Sequence, residues 1–303
     1  MLELTTKSMA SNNHSFRGVV LNTLQYNRDG SFATQSNRKA ILLKVCKDLK
    51  ACGFDKVTQK NFGAKHCYKL KDFWAGQGLS NATIKNRMAC VRWLGSKFGK
   101  ELPSNDKLAV EHRVYSDNTK QKAKEIDFNK LNQLSERHQL SIQLQRQFGL
   151  RMEESLKFKV GYADKGDHIK LKASWTKGGR EREIPVKTPQ QRELLNKIKD
   201  FVKNSEHKLN KSLIPDDSKY IQAKWAFQKA IERVNIKNVH GYRHQYAQDR
   251  YLELTRMKCP KAGGFTSYQL TKEQKGLDYQ ARMIISEELG HSREEITVQY
   301  LGR

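Results

Sequence analysis

From Ser36 onward the apolar residues of this chain recur at steps of three and four, and that period commits most of it to packed helices. Leu42, Val45, Cys46 and Leu49 share one face, and Gly53 stands where a helix C-cap would. A second helix is expected over 58–75. A third starts at Ser80, a good N-cap, and turns Ile84, Met88, Val91 and Leu94 to one side. Residues 36–100 are therefore expected to form a small all-helical domain. Residues 1–35 are polar and turn-rich, with Ser11-Asn12-Asn13 and Asn27-Arg28-Asp29-Gly30, and read as a flexible N-terminal arm.

Periodicity is lost over 101–124, a charged and polar stretch that reads as an interdomain linker. A second domain, 125–303, opens with two helices, one after Asp127 and one ending near Phe148. Two alternating runs, 168–175 and 180–186, flank Thr176-Lys177-Gly178-Gly179 and predict a β-hairpin. Helices are expected after Thr188-Pro189 and over 217–234, 242–254 and 278–289. A last helix is expected from Ser292, where Ser292-x-x-Glu295 has the form of a capping box. The fold class expected is mainly α with a small antiparallel β-sheet.

Charge narrows the partners. Fifty-seven Lys+Arg against 32 Asp+Glu give a formal net charge of +25. Such an excess repels itself unless an anion neutralises it, and nucleic acid is the commonest such partner. Basic residues run through the whole chain instead of gathering on one amphipathic helix, which disfavours a membrane surface. The five cysteines (Cys46, Cys52, Cys67, Cys90 and Cys259) lack the paired short spacings of a disulfide framework or zinc site. No stretch reaches the roughly 18 apolar residues of a membrane span. A reduced, cytoplasmic, nucleoid-associated protein is expected.

Four islands carry groups suited to a phosphodiester. Its non-bridging oxygens gain negative charge in the transition state, so catalysis needs fixed cations, a nucleophile and an acid for the leaving oxygen. Arginine suits the clamp because its planar fork donates two bonds and keeps its charge. The islands are Phe148-Gly149-Leu150-Arg151-Met152-Glu153-Glu154; Lys177 in the hairpin turn; His240-Gly241-Tyr242-Arg243; and Leu289-Gly290-His291 with Tyr300 nine positions on. Singly each has a bland reading: Arg151 as the helix partner of Glu154, Lys177 as a solvated tip, His240 as a core histidine, His291 as a cap group, Tyr300 as a structural tyrosine.

In that order and spacing, the four islands resemble the active-site boxes of the tyrosine recombinase/integrase family. Gly149, Leu150, Arg151 and Glu154 match its Gly-Leu-Arg-x-x-Glu box, Lys177 its hairpin lysine, and His240 and Arg243 its His-x-x-Arg box. Leu289, Gly290, His291 and Tyr300 match its final box. The helical domain before them resembles the family's core-binding domain loosely. The resemblance implies that Arg151 and Arg243 hold the scissile phosphate, with His291 adding a hydrogen bond. Tyr300 attacks phosphorus and leaves a 3′-phosphotyrosyl bond, while Lys177 protonates the departing 5′ oxygen. His240 serves as proton acceptor or phosphate ligand, and Glu154 supports its neighbours. No metal and no ATP are expected, since arginines do the charge work. The implied partners are double-stranded DNA at attachment sites and a homotetramer assembled on it, with accessory DNA-bending proteins admitted. On the helix from Ser80, Thr83, Lys85, Asn86 and Arg87 are candidates for DNA contact, set against a merely solvated face.

Two departures stand out. More chain than usual separates the His-x-x-Arg and Leu-Gly-His boxes, the excess being an inserted loop at 257–276 with no stronger account. The chain also closes three residues after Tyr300, where family members often carry a tail that docks on a neighbouring subunit, which puts control between subunits in question but not the chemistry. The expected activity is site-specific recombination that integrates or excises a mobile element. The alternatives are a type IB topoisomerase, a decayed integrase that only binds DNA in an architectural or regulatory role, and an RNA-binding structural protein.

Overall fold

The computed structural model describes residues 15–112, 117–204 and 212–303. The chain divides into two compact units, Met1–Val114 and Tyr115–Arg303.

The first unit is helical: α1 (Phe16–Tyr26), α2 (Phe32–Ala51), α3 (Ala64–Gly76) and α4 (Asn81–Lys97). Ser15, Ser31 and Ser80 cap α1, α2 and α4, their hydroxyls accepting from the amides of Gly18, Thr34 and Thr83. The stripes expected on α2 and α4 meet in one core, where Leu42, Leu49, Trp74, Met88, Val91 and Leu94 are buried.

Two expectations are corrected here. The first fourteen residues of the expected arm lie outside the described residues. Most of the rest is helix: α1 and the start of α2 fall within 1–35. Val20 is fully buried, and Phe16 and Leu24 pack beside it. Phe16, Val20 and Leu24 recur every four residues, the spacing of one helix face, but the run is short and stands between turn-rich segments that mask it. The expected linker is also structured over its first part. Leu102, Leu108 and Val110 close the helical core, and Arg92 donates to the Pro103 carbonyl and to Asn105 Oδ1.

The second unit contains α5 (Phe128–Leu131), α6 (Glu136–Gln147), α7 (Met152–Leu156), α8 (Val160–Ala163), β1 (His168–Leu171), β2 (Arg182–Pro185), α9 (Pro189–Asn204), α10 (Tyr220–Arg233), α11 (His240–Thr255), α12 (Lys272–Glu288) and α13 (Val298–Leu301). The strands pair antiparallel, His168 opposite Pro185 through Leu171 opposite Arg182. They are shorter than the alternation suggested, because Ala173–Trp175 turns into a 3₁₀ helix that sinks Trp175 into the core. The fold is mainly α with one small antiparallel sheet, as the sequence predicted. The helix expected from Ser292 is instead a 3₁₀ turn, Glu294–Thr297, with Arg293 at its N-cap, running into the four residues of α13. Among the described residues no helix is long and apolar enough to cross a membrane.

Candidate active site

The site begins at a glycine. Gly149 has φ +60°, and a Cβ there would lie 2.5 Å from the Tyr246 ring, so a side chain is excluded twice over. The tight bend after α6 places Arg151 at the N-cap of α7, where Glu154 Oε2 accepts from the Arg151 amide at 2.7 Å. Glu154 Oε1 accepts from Arg151 Nη1 at 2.8 Å, and Arg182 reaches both carboxylate oxygens at 3.0 and 2.6 Å. Every oxygen of this fully buried carboxylate is thereby committed. Burial pushes the Glu154 carboxyl up, but hydrogen bonds and charge from Arg182, then Arg243 and Arg151, win and hold it near 2.

Arg182 was not singled out from sequence. It enters from β2 and is 8% exposed, and its Nε donates to the Glu288 carbonyl at 2.8 Å. One guanidinium thus joins the hairpin, the Glu154 carboxylate and the last turn before the Leu289-Gly290-His291 box. A Cβ on Gly290, where φ is +70°, would lie 2.9 Å from Arg182 Nη1. The strand alternation carried a signal for Arg182: it shares the inward face with Ile184, where an unpaired arginine is out of place.

Helix α11 supplies the other half. Arg243 is 0% exposed and donates through its Nη atoms to the carbonyls of Gly149 and Leu289, and through Nε to the Tyr300 hydroxyl at 3.3 Å. Burial lowers it to about 10, which leaves it cationic at neutral pH. The Tyr300 ring is flanked by three imidazoles: His244 at 4.8 Å between centroids, His240 at 6.1 Å and His291 at 6.2 Å. Arg151 Nη2 lies 3.5 Å from His291 Nε2. Crowding by protein, then repulsion from Arg243 and Arg151, lowers both His240 and His291 to about 4. At neutral pH both are therefore neutral, each with one ring nitrogen free of a proton.

The structure brings Arg151, Glu154, His240, Arg243, His291 and Tyr300 together from four separated stretches of chain. It adds Arg182 and His244, the latter one turn beyond His240 on the same helix. Lys177 is not joined to the cluster: it stands exposed at the hairpin tip, in a turn braced by the Thr176 hydroxyl donating to the Arg180 carbonyl at 2.7 Å. The implied phosphate role of Arg243 also needs qualification. Its Nη atoms donate to main-chain carbonyls and its Nε to Tyr300, whereas Arg151, with 20% of its side chain exposed, is the guanidinium open to an incoming anion. Among the candidate DNA contacts, Thr83 belongs to the capping turn of α4, bonding Ser80 at 3.0 Å. Arg87 turns inward, 3.7 Å from Asp48 and over the Trp74 ring. Asn86 is exposed and Lys85 partly so.

Sequence comparison with known families gives two matches in succession. Residues 18–102 match the N-terminal phage integrase family, and residues 111–249 match the integrase family. The second match includes Arg151, Lys177, His240 and Arg243 and ends before His291 and Tyr300. No curated protein matches the sequence. Among solved structures, XerH site-specific recombinase bound to palindromic difH substrate is 19% identical over 94% of this chain and 80% of its own, with a TM-score of 0.59. A lambda integrase dimer bound to a COC′ core site is 13% identical over 93% and 75%, also at 0.59. The Tn1549 transposon integrase with circular intermediate DNA is 13% identical over 95% of both chains, at 0.52. At these identities the likeness is one of fold. Taken with the two family matches, it establishes that the chain belongs to the tyrosine recombinase family of integrases.

Proposed function

We propose that this protein is a site-specific recombinase that cuts and rejoins duplex DNA through a covalent bond between Tyr300 and a 3′ phosphate. The observation that carries the reading is the Tyr300 hydroxyl. It lies 3.3 Å from the Nε of a buried, charged arginine, on a ring flanked by neutral histidines. That is the setting a phenol needs to become a nucleophile toward a phosphate. The solved relatives described above were captured on DNA, which supports duplex DNA as the substrate.

In this mechanism Arg151 meets the scissile phosphate, and His291, 3.5 Å from the Arg151 guanidinium, donates to a second oxygen. Arg243 orients the phenol and stabilises the phenolate that develops. His240 takes the phenolic proton; the negative charge of the arriving phosphate raises its basicity from the low value it has in the free protein. The Tyr300 oxygen bonds to phosphorus as the bond to the 5′ oxygen breaks, and Lys177 gives that oxygen its proton. A 5′-hydroxyl from another strand reverses the step, since phosphotyrosine retains the reactivity of the broken bond.

The test is covalent capture. Duplexes of randomised sequence are enriched by binding to the Tyr300→Phe protein, nicked so that cleavage cannot reverse, and offered to wild type. A denaturing gel should give a shifted protein–DNA band with wild type and none with Tyr300→Phe, a loss of at least about 10³-fold, while the two bind within about twofold. Tight, salt-sensitive binding without a covalent band would replace this reading with that of a binding-only integrase.

A further inference from the structure

We propose that Lys261 and Gln248 are positioning residues that fix Tyr300 by capping the carbonyls of its own short helix; the proposal rests on Tyr300 being the nucleophile. Helix α13 has four residues, too few to sustain itself, since one helical turn orders several backbone dihedrals for a single hydrogen bond. Its carbonyls are the unpartnered ones of any helix end. Only Val298 is answered locally, by the Gly302 amide at 3.0 Å. The Gln299 carbonyl accepts from Lys261 Nζ at 2.7 Å, and the Tyr300 carbonyl accepts from Gln248 Nε2 at 3.1 Å.

Both donors are buried, each 7% exposed. Lysine is a costly choice there, because a buried ammonium loses its hydration and gains only a neutral acceptor. Burial and the nearby charge of Lys122 lower its proton affinity accordingly. An apolar side chain would fill the space more cheaply but would leave the Gln299 carbonyl without its donor. The lysine is held from behind as well. The 3₁₀ turn that contains it, Pro260–Ala262, follows the buried Cys259, whose carbonyl accepts from the Ala262 and Gly264 amides at 2.9 and 3.0 Å. Gln121 Nε2 donates to the Lys261 carbonyl at 2.9 Å and to Gln248 Oε1 at 3.0 Å, tying both capping residues to the stretch that begins this unit.

This gives the inserted segment 257–276 a purpose. Helix α11 grips Tyr300 at both ends, with Arg243 on the hydroxyl and Gln248 on the carbonyl, and the insertion supplies the second carbonyl clamp. Freed from it, the α13 backbone would sample several positions, and the phenol would spend less time in line with phosphorus.

The experiment compares wild type, Lys261→Met, Lys261→Arg and Gln248→Leu. Capture rates are measured at saturating nicked duplex, together with the DNA concentration at half-maximal rate. Lys261→Met should slow capture about ten- to a hundredfold, the rate equivalent of one lost hydrogen bond to a charged donor, with half-saturation unchanged. Lys261→Arg should recover most of it. A second readout does not depend on catalysis: 3-fluorotyrosine is incorporated in place of Tyr300 and its ¹⁹F resonance recorded without DNA. It should be single and narrow in wild type and broadened or split in Lys261→Met and Gln248→Leu. Failure of wild type to form any covalent band overturns the proposed function but leaves the fluorine result to judge the clamp. An unchanged resonance, or a rate loss that merely tracks a lowered melting temperature in all three variants, overturns the clamp.

Discussion

Asp48 in the helical unit and Glu154 in the second unit are both carboxylates withdrawn from solvent, and their surroundings differ in kind. Asp48 accepts from the neutral Trp74 indole at 2.8 Å and from Lys44 at 3.3 Å, with Arg87 at 3.7 Å. Lys44 keeps half of its side chain in water, while Arg87, with 15% of its side chain exposed, is enclosed beside the carboxylate. Glu154 is 0% exposed and is bonded by Arg151 and Arg182, with Arg243 close enough to depress its proton affinity. One cluster ties helices together. The other confines three guanidiniums around one carboxylate and leaves positive charge over. Surplus buried charge is unfavourable unless an anion completes it. A phosphate is such an anion.

The sharpest break of that comparison comes from removing the two carboxylates. Glu154→Ala strands Arg182 and part of Arg151 in the interior and should cost about 3–5 kcal/mol in urea unfolding of the second unit. Asp48→Ala leaves an indole donor and one enclosed cation, Arg87, since Lys44 can turn to solvent, and should cost about 1–3 kcal/mol. If Asp48→Ala proves the more damaging, enclosed charge does not distinguish the units.

Acid should separate them next. His244 is 5% exposed and packs on Tyr300; burial, then repulsion from His240, lowers it to about 3. His240 and His291 sit near 4. Each of these histidines binds its proton less well folded than unfolded, so the stability linked to it is complete above the ordinary value of 6.5 and declines as pH falls toward the folded value. The decline approaches about 1.4 kcal/mol per pH unit for each such histidine. Thermal melts from pH 7 to pH 4 should show the second unit destabilising, and His244→Asn should flatten the slope. A slope that His244→Asn leaves unchanged would mean that the titration lies elsewhere.

Much of this site was legible because its residues come in short, spaced boxes. Gly149 and Arg151, His240 and Arg243, and His291 and Tyr300 are each separated by a fixed number of residues, and the spacing survives in one dimension. Arg182 and Lys261 were not legible in that way. In a chain of net charge +25 a buried cation is hard to tell from its solvated neighbours; strand alternation turns Arg182 inward, but its partners are distant in sequence. The Arg182 partners Glu154 and Glu288 lie 28 and 106 positions away. The fold followed the same rule. Apolar stripes gave α2 and α4, whereas the short apolar face of α1 stands between turn-rich segments, and α13 is held by side chains from other segments.

The smallest expected effect on stability belongs to Lys177, and it tests the comparison from the opposite side. This lysine is exposed and outside the charge cluster, so Lys177→Ala should shift unfolding by no more than about 0.5 kcal/mol. Its proposed role as the acid for the leaving oxygen nevertheless predicts capture slowed at least about a hundredfold. A duplex whose leaving oxygen is replaced by sulfur needs no proton at that atom and should restore most of the rate to Lys177→Ala, but none to Tyr300→Phe. Recovery would separate the lysine that acts on the reacting strand from the buried arginines that hold the site in shape. If sulfur leaves the variant as slow as before, proton transfer is not what Lys177 supplies, and its part lies in binding the duplex, where the half-saturating DNA concentration would rise instead.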